Sequence, residues 1–135
     1  MSPHPFETTI KPRVCETDMM GHINNTTLAI WYEVARAEMA SECRAACPDV
    51  TGLLMVVRVE MDYLGELFHG SEVTIRSGLD RIGNSSLSIA HETWQNGKLC
   101  GRGRSVLAYV DRSSRRPTPV PQQARDYLAR FALPA

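Results

Sequence analysis

Apolar side chains in residues 26–46 recur mostly at steps of three and four, as Leu28, Trp31, Val34, Ala35, Met39 and Cys43, while Glu33, Arg36, Glu38, Glu42 and Arg44 fill the remaining positions. A stretch this long without glycine or proline, patterned at that period, predicts one long helix with a single apolar side. Pro48 stops it and Gly52 follows in the connection. Beyond that point the period falls to two, the mark of strands. In residues 55–63, Met55, Val57, Val59, Met61 and Tyr63 alternate with Val56, Arg58, Glu60 and Asp62, as in an antiparallel strand with one drier face. Further strands are predicted at about 72–82, 85–94 and 99–111, with turns at Gly83-Asn84 and Asn96-Gly97. Upstream, residues 6–16 read as a first, extended element that Pro12 confines to an edge or an irregular strand. Residues 112–121 form a loop rich in arginine, serine and proline, and Pro121 suits the first turn of a short closing helix to residue 131.

One early helix followed by a four-stranded meander, joined to an earlier strand, is an α+β pattern: five antiparallel strands curling around one helix. The 135 residues fit a single domain spanning 1–135. A single sheet wrapped on one helix leaves exposed strand edges and a second face, so at least a dimer is expected. Composition narrows the partners. Fifteen basic and fifteen acidic residues cancel, so no global positive field gathers nucleic acid or an anionic membrane. The first ten residues contain no apolar run, no stretch is long enough to span a bilayer, and a cytoplasmic location is expected. Cys15, Cys43, Cys47 and Cys100 show no CxxC pair and read as free thiols, and the four histidines lack metal-site spacing, so no metal or other cofactor is expected.

The densest polar cluster lies just before the long helix: Glu16, Thr17, Asp18, Gly21, His22, Asn24 and Asn25. A helix N-terminus offers unpaired N–H groups and a positive dipole end, which suits the oxyanion of an acyl transfer. A carboxylate in the loop leading there, as Asp18 is, has the chemistry to attack a carbonyl or to take a proton from water. Read from the residues alone, Asp18 and Asn25 serve equally as turn and helix caps.

The run E-T-D-M-M-G-H-I-N-N, followed by W-Y-E-V-A-R on the helix, resembles the active-site segment of 4-hydroxybenzoyl-CoA thioesterase-like proteins. The resemblance continues through V-E-M-D-Y-L, H-G-S-E-V, R-I-G-N-S-S-L-S and V-D-R-S-S-R-R-P-T-P-V-P, and so covers residues 9–121. It implies a hot-dog fold, a five-stranded antiparallel sheet around a central helix, assembled as homodimers or homotetramers with active sites at the subunit boundary. It implies an acyl-CoA thioesterase in which Asp18 is the base or nucleophile and the Asn25 backbone N–H holds the carbonyl oxygen. His22 and Asn24 match a G-H-x-N-N variant of the family, with His22 in a supporting role. Plant acyl-carrier-protein thioesterases carry an Asn two residues after the Asp; here that position is Met20, which leaves Asp18 with His22 and backbone groups.

Glu33 is the runner-up base, because a related branch takes its carboxylate from this helix; otherwise it forms an i,i+3 ion pair with Arg36. Trp31, with Tyr32 and Met39, is placed either in an acyl pocket or in plain core. Arg112 and Arg115, from a basic cluster that includes Arg102, Arg104 and Arg116, are candidates for the phosphates of CoA. An acyl-carrier-protein thioester stands beside acyl-CoA as the substrate. Two rival readings are a non-catalytic acyl-thioester binding protein and an enoyl-CoA hydratase on the same fold.

Overall fold

The structure is a computed structural model describing residues 4–134. Five strands, β1 (Phe6–Ile10), β2 (Leu53–Tyr63), β3 (Val73–Ile82), β4 (Ser86–Gln95) and β5 (Lys98–Val110), form one sheet in the order β1-β3-β4-β5-β2, every pair antiparallel. The long helix α1 (Asn25–Ala46) lies on one face, and a short α2 (Gln122–Leu128) closes the chain. Asn96 and Gly97, at φ of 51° and 75°, make the tight β4–β5 turn, a conformation that Asn and Gly tolerate best.

The inner face of the sheet is read from the register. Ser77 faces His91, which faces Gly103, and Leu87 faces Leu107. Leu79, Leu87, Ile89 and Leu107 pack with Met39, Leu128 and Phe131 in one half of the core, and Val73, Ile75 and Cys100 pack with Leu28, Trp31 and Tyr32 in the other. Between the halves runs a polar layer. His91 stacks on Tyr32 with centroids 4.5 Å apart and shares a 2.7 Å hydrogen bond with the Ser77 hydroxyl. Tyr32 is itself hydrogen-bonded to Thr93 at 2.7 Å. Gly101 and Gly103 on β5 give the Tyr32 ring its place: a Cβ at Gly103 would enter the ring's van der Waals volume, and one at Gly101 would stand 3.1 Å from Leu28.

Three expectations change. The first strand ends at Ile10, and Val14–Glu16 forms a 3-10 turn that Glu16 closes by accepting the Arg13 N–H at 2.7 Å. In β2 the register shifts between Val56 and Arg58, so the residues paired opposite the inner face of β5 are Leu54, Val56, Val59, Met61 and Tyr63; Met55 is out of phase. The expected drier face is also absent. Helix α1 covers little of β2: Met61 packs against the cluster that includes Leu28, Trp31 and Tyr32, but Leu54, Val56, Val59 and Tyr63 are 40–51% exposed at the free edge of the sheet. No helix among the described residues is long and apolar enough to cross a membrane.

Candidate active site

Asn24 starts the helix. Its side-chain oxygen accepts the Thr26 N–H at 2.9 Å and its carbonyl accepts the Thr27 N–H at 3.0 Å. Capping thus falls to Asn24, and the N–H of Asn25 between them meets no acceptor among the described residues. The preceding loop is stitched on both sides. Asp18 and His22 close it through Asp18 N–H to His22 carbonyl at 2.9 Å, Asn24 donates to the Glu16 carbonyl at 2.8 Å, and Ile23 donates to Leu67 at 2.7 Å. Tyr63, at the end of β2, donates its hydroxyl to the Asn25 carbonyl at 2.9 Å, so the edge strand terminates on the first helical residue.

A cavity of about 510 Å³ opens here, with Asp18, His22, Asn24, Asn25, Tyr63 and Glu66 on its wall. One oxygen of Asp18 accepts the Met20 N–H at 2.8 Å, which fixes the carboxylate in its loop as a turn residue would. The other lies 4.0 Å from His22 Nδ1. His22 Nδ1 also stands 3.3 Å from the Ile23 carbonyl, and its Nε2 is 3.8 Å from Glu66 Oε1. The imidazole is therefore flanked by two carboxylates, and the half of that arrangement supplied by Glu66 was not anticipated. A lone glutamate in the loop after β2 has no spacing signal; only the return of β2 to the helix N-terminus brings it in.

Behind the site, Glu16 is 8% exposed and accepts the Trp31 indole N–H at 3.0 Å. Burial pushes its pKa up, but the Arg13 N–H and the Trp31 indole outweigh burial and hold it below the ordinary carboxylate value. Trp31 is thereby committed to the core, 2% exposed among Ile23, Leu28 and Leu67, and is not on the wall of the Asp18 cavity. Glu33 is exposed and also off that wall; its expected close ion pair with Arg36 does not form, because Arg36 turns inward to the Ser105 hydroxyl at 2.8 Å.

Arg112 and Arg115 do not reach this cavity within one chain. Arg112 donates to the Thr51 carbonyl at 3.0 Å, and Arg115, at φ 60°, sits in the turn that Asp111 organises by accepting the Ser113 and Ser114 N–H groups. That turn follows β5 at the Leu53–Val110 end of the β2–β5 ladder, whereas Tyr63–Gly101 is the Asp18 end. Eleven residues of β2 separate the two ends by roughly 33 Å.

A carboxylate loop ending on an open helix N-terminus, above a sheet of this order, defines a class. The sequence model of the thioesterase-like superfamily matches residues 12–128, and the chain belongs to that superfamily, with the hot-dog fold. A structure described as a predicted thioesterase from Bacillus stearothermophilus is 40% identical, with a TM-score of 0.86 over 96% of this chain and 98% of that one. A thioesterase from Thermus thermophilus, complexed with coenzyme A and Zn, is 29% identical at a TM-score of 0.81, covering 93% and 98% of the two chains. The uncharacterized protein YsmA of Bacillus subtilis is 29% identical over 111 residues, 81% of this chain and 75% of YsmA.

Proposed function

We propose that this protein is an acyl-CoA thioesterase that hydrolyses its substrate to free CoA and a carboxylic acid, with Asp18 as the acting carboxylate. The observation that carries the reading is that Asp18 and the unpartnered Asn25 N–H line one cavity at the start of α1. The thioester carbonyl oxygen would point at that N–H and the positive end of the helix dipole, where the charge of a tetrahedral intermediate develops. Asp18 would take a proton from the attacking water, or attack the carbonyl carbon itself and leave an anhydride for water to open. In either route the carbon–sulfur bond breaks and CoA departs as a thiolate that is then protonated. His22, held between Asp18 and Glu66, orients the carboxylate and the water.

The largely uncovered β2 supports a dimer in which two such edges meet. Pairing them antiparallel about a two-fold axis would bring the Arg112 loop of one copy towards the Asp18 end of the other, adding guanidinium groups for a CoA phosphate beside a cavity wall that carries none within one chain. A thioester on a carrier protein would present the same carbonyl to Asp18 with a different surface around it.

Release of thiol from a panel of acyl-CoAs, followed with a thiol-trapping reagent, tests the reading. At least one acyl-CoA is hydrolysed, and Asp18→Asn lowers turnover by roughly 10²–10⁴-fold while keeping the native circular dichroism spectrum. Parental rates in the variant overturn the role of Asp18. Protection of the thioester without thiol release would instead indicate a binding protein, and loss of enoyl absorbance without thiol a hydratase.

A further inference from the structure

A second cavity, of about 300 Å³, lies between the C-terminal half of α1 and the sheet, walled by Met39, Leu79, Leu87, Ile89 and Leu107 with Arg36 among them. It shares no wall residue with the Asp18 cavity. Arg36 is eleven residues into the helix from Asn25, about 16 Å along the axis. An apolar chamber of this size is at the small end of the range for small-molecule sites, roughly 300–1,000 Å³.

The side chain of Arg36 sets this chamber apart from a packing defect. A guanidinium placed against an apolar wall costs free energy unless its charge is answered. Here its hydrogen bond goes to a neutral partner, the Ser105 hydroxyl, and the opposing charge of Glu33 acts on it only from a distance. Arg36 is half-buried, and that partial burial pulls it below the ordinary guanidinium value against the opposing charge of Glu33. His91, which feels the Arg36 charge, is kept neutral by its burial, its pKa pushed down to about 3, and so adds no second positive charge beside it. The charged groups on the wall are Arg36, Arg44 and Glu33, two cations against one carboxylate. The fork of Arg36 has donors to spare for a planar, two-oxygen anion.

We infer that this chamber is a binding site, separate within one chain from the Asp18 cavity, for a medium-chain aliphatic carboxylic acid whose carboxylate pairs with Arg36 and whose chain lies along Leu79, Leu87 and Leu107. Such an acid meets both demands of the chamber at once, a single anionic head and an apolar tail. A thioester tail entering from Asp18 would bring no charge to Arg36.

The test is calorimetric titration of the full-length protein with sodium decanoate below its micelle concentration, alongside decanol. The wild type binds decanoate at least tenfold more tightly than decanol, and Arg36→Met removes that preference. Leu107→Trp, which fills the chamber, abolishes decanoate binding, whereas Asp18→Asn leaves it unchanged. Equal affinity of the wild type for the acid and the alcohol overturns the inference without any variant, as does the absence of saturable decanoate binding. Retention of full binding in Leu107→Trp, or its loss in Asp18→Asn, places the acid elsewhere and also overturns it. Thiol release is not read in any arm, so the outcome stands apart from the thioesterase assignment.

Discussion

Replacing Glu16 by alanine removes the acceptor that joins the first 3-10 turn to the main helix. The Trp31 indole N–H, in a residue 2% exposed, is then left with no partner, a loss of about 1–3 kcal/mol. The Arg13 N–H loses its 2.7 Å bond to the same carboxylate, but Arg13 is exposed and water replaces it at a cost of about 0.5–1.5 kcal/mol. Together these give a destabilisation of roughly 2–4 kcal/mol, out of a typical total of about 5–15. For a chain of this size that is a fall in Tm of about 10 °C. Glu16→Gln, which keeps one oxygen but no charge, should lose about half as much.

The sign with pH follows from the depressed pKa of the native carboxylate. The stabilisation is fully present above the ordinary value of 4.5 and is lost as pH falls through the lower native value. Thermal unfolding of wild type and Glu16→Ala at pH 7, 5 and 3.5 should therefore show a gap that is widest at pH 7 and narrows at the acid end. Melting within about 2 °C of each other at pH 7, or a gap undiminished in acid, would refute this account of Glu16.

Other consequences can be checked separately. Gly103→Ala puts a methyl group into the Tyr32 ring and should cost about 1–3 kcal/mol in urea unfolding. His91, with its pKa pushed by burial to about 3, is protonated more readily in the unfolded chain, so it lowers stability as pH falls from about 6.5 towards 3, by at most about 1.4 kcal/mol per unit. His91→Phe should flatten that part of the stability–pH profile, whatever it does to the maximum. Glu66→Gln should reduce turnover more than it raises KM if the flanked imidazole orients the carboxylate, and a steady-state comparison with wild type separates the two. If two β2 edges pair as proposed, Val59→Lys on that edge should give monomer in analytical ultracentrifugation and reduce thiol release along with it.

Local rules made most of the fold readable. Pro48 and the helical period delimited α1 to within a residue of its start, because Asn24 caps where a polar residue before an apolar run should. The strands after it fell within two residues of their observed ends because the alternation and the turn residues agree. What stayed hidden depends on long-range pairing. The bulge at Val57 reverses the phase of β2, and a single extra residue leaves no mark in composition. Trp31 reads the same whether it walls a pocket or fills a core, and only the Glu16 carboxylate, fifteen residues upstream, decides between them. Glu66 near the site and Arg112 far from it are both set by which ends of β2 and β5 meet, a matter of register rather than of either residue.

The fit of Tyr32 above Gly101 and Gly103 bears on how this molecule tolerates change. Those two positions are a saddle on which a 22-residue rod rests, one end bordering the Asp18 cavity and the other roofing the Arg36 chamber. A side chain added at Gly103 must displace the Tyr32 ring, and one at Gly101 crowds Leu28, so both positions press on side chains of that rod. The floor of the sheet is therefore kept bare at the place where the helix sets down its tyrosine ring, and drift there is confined to residues without a side chain.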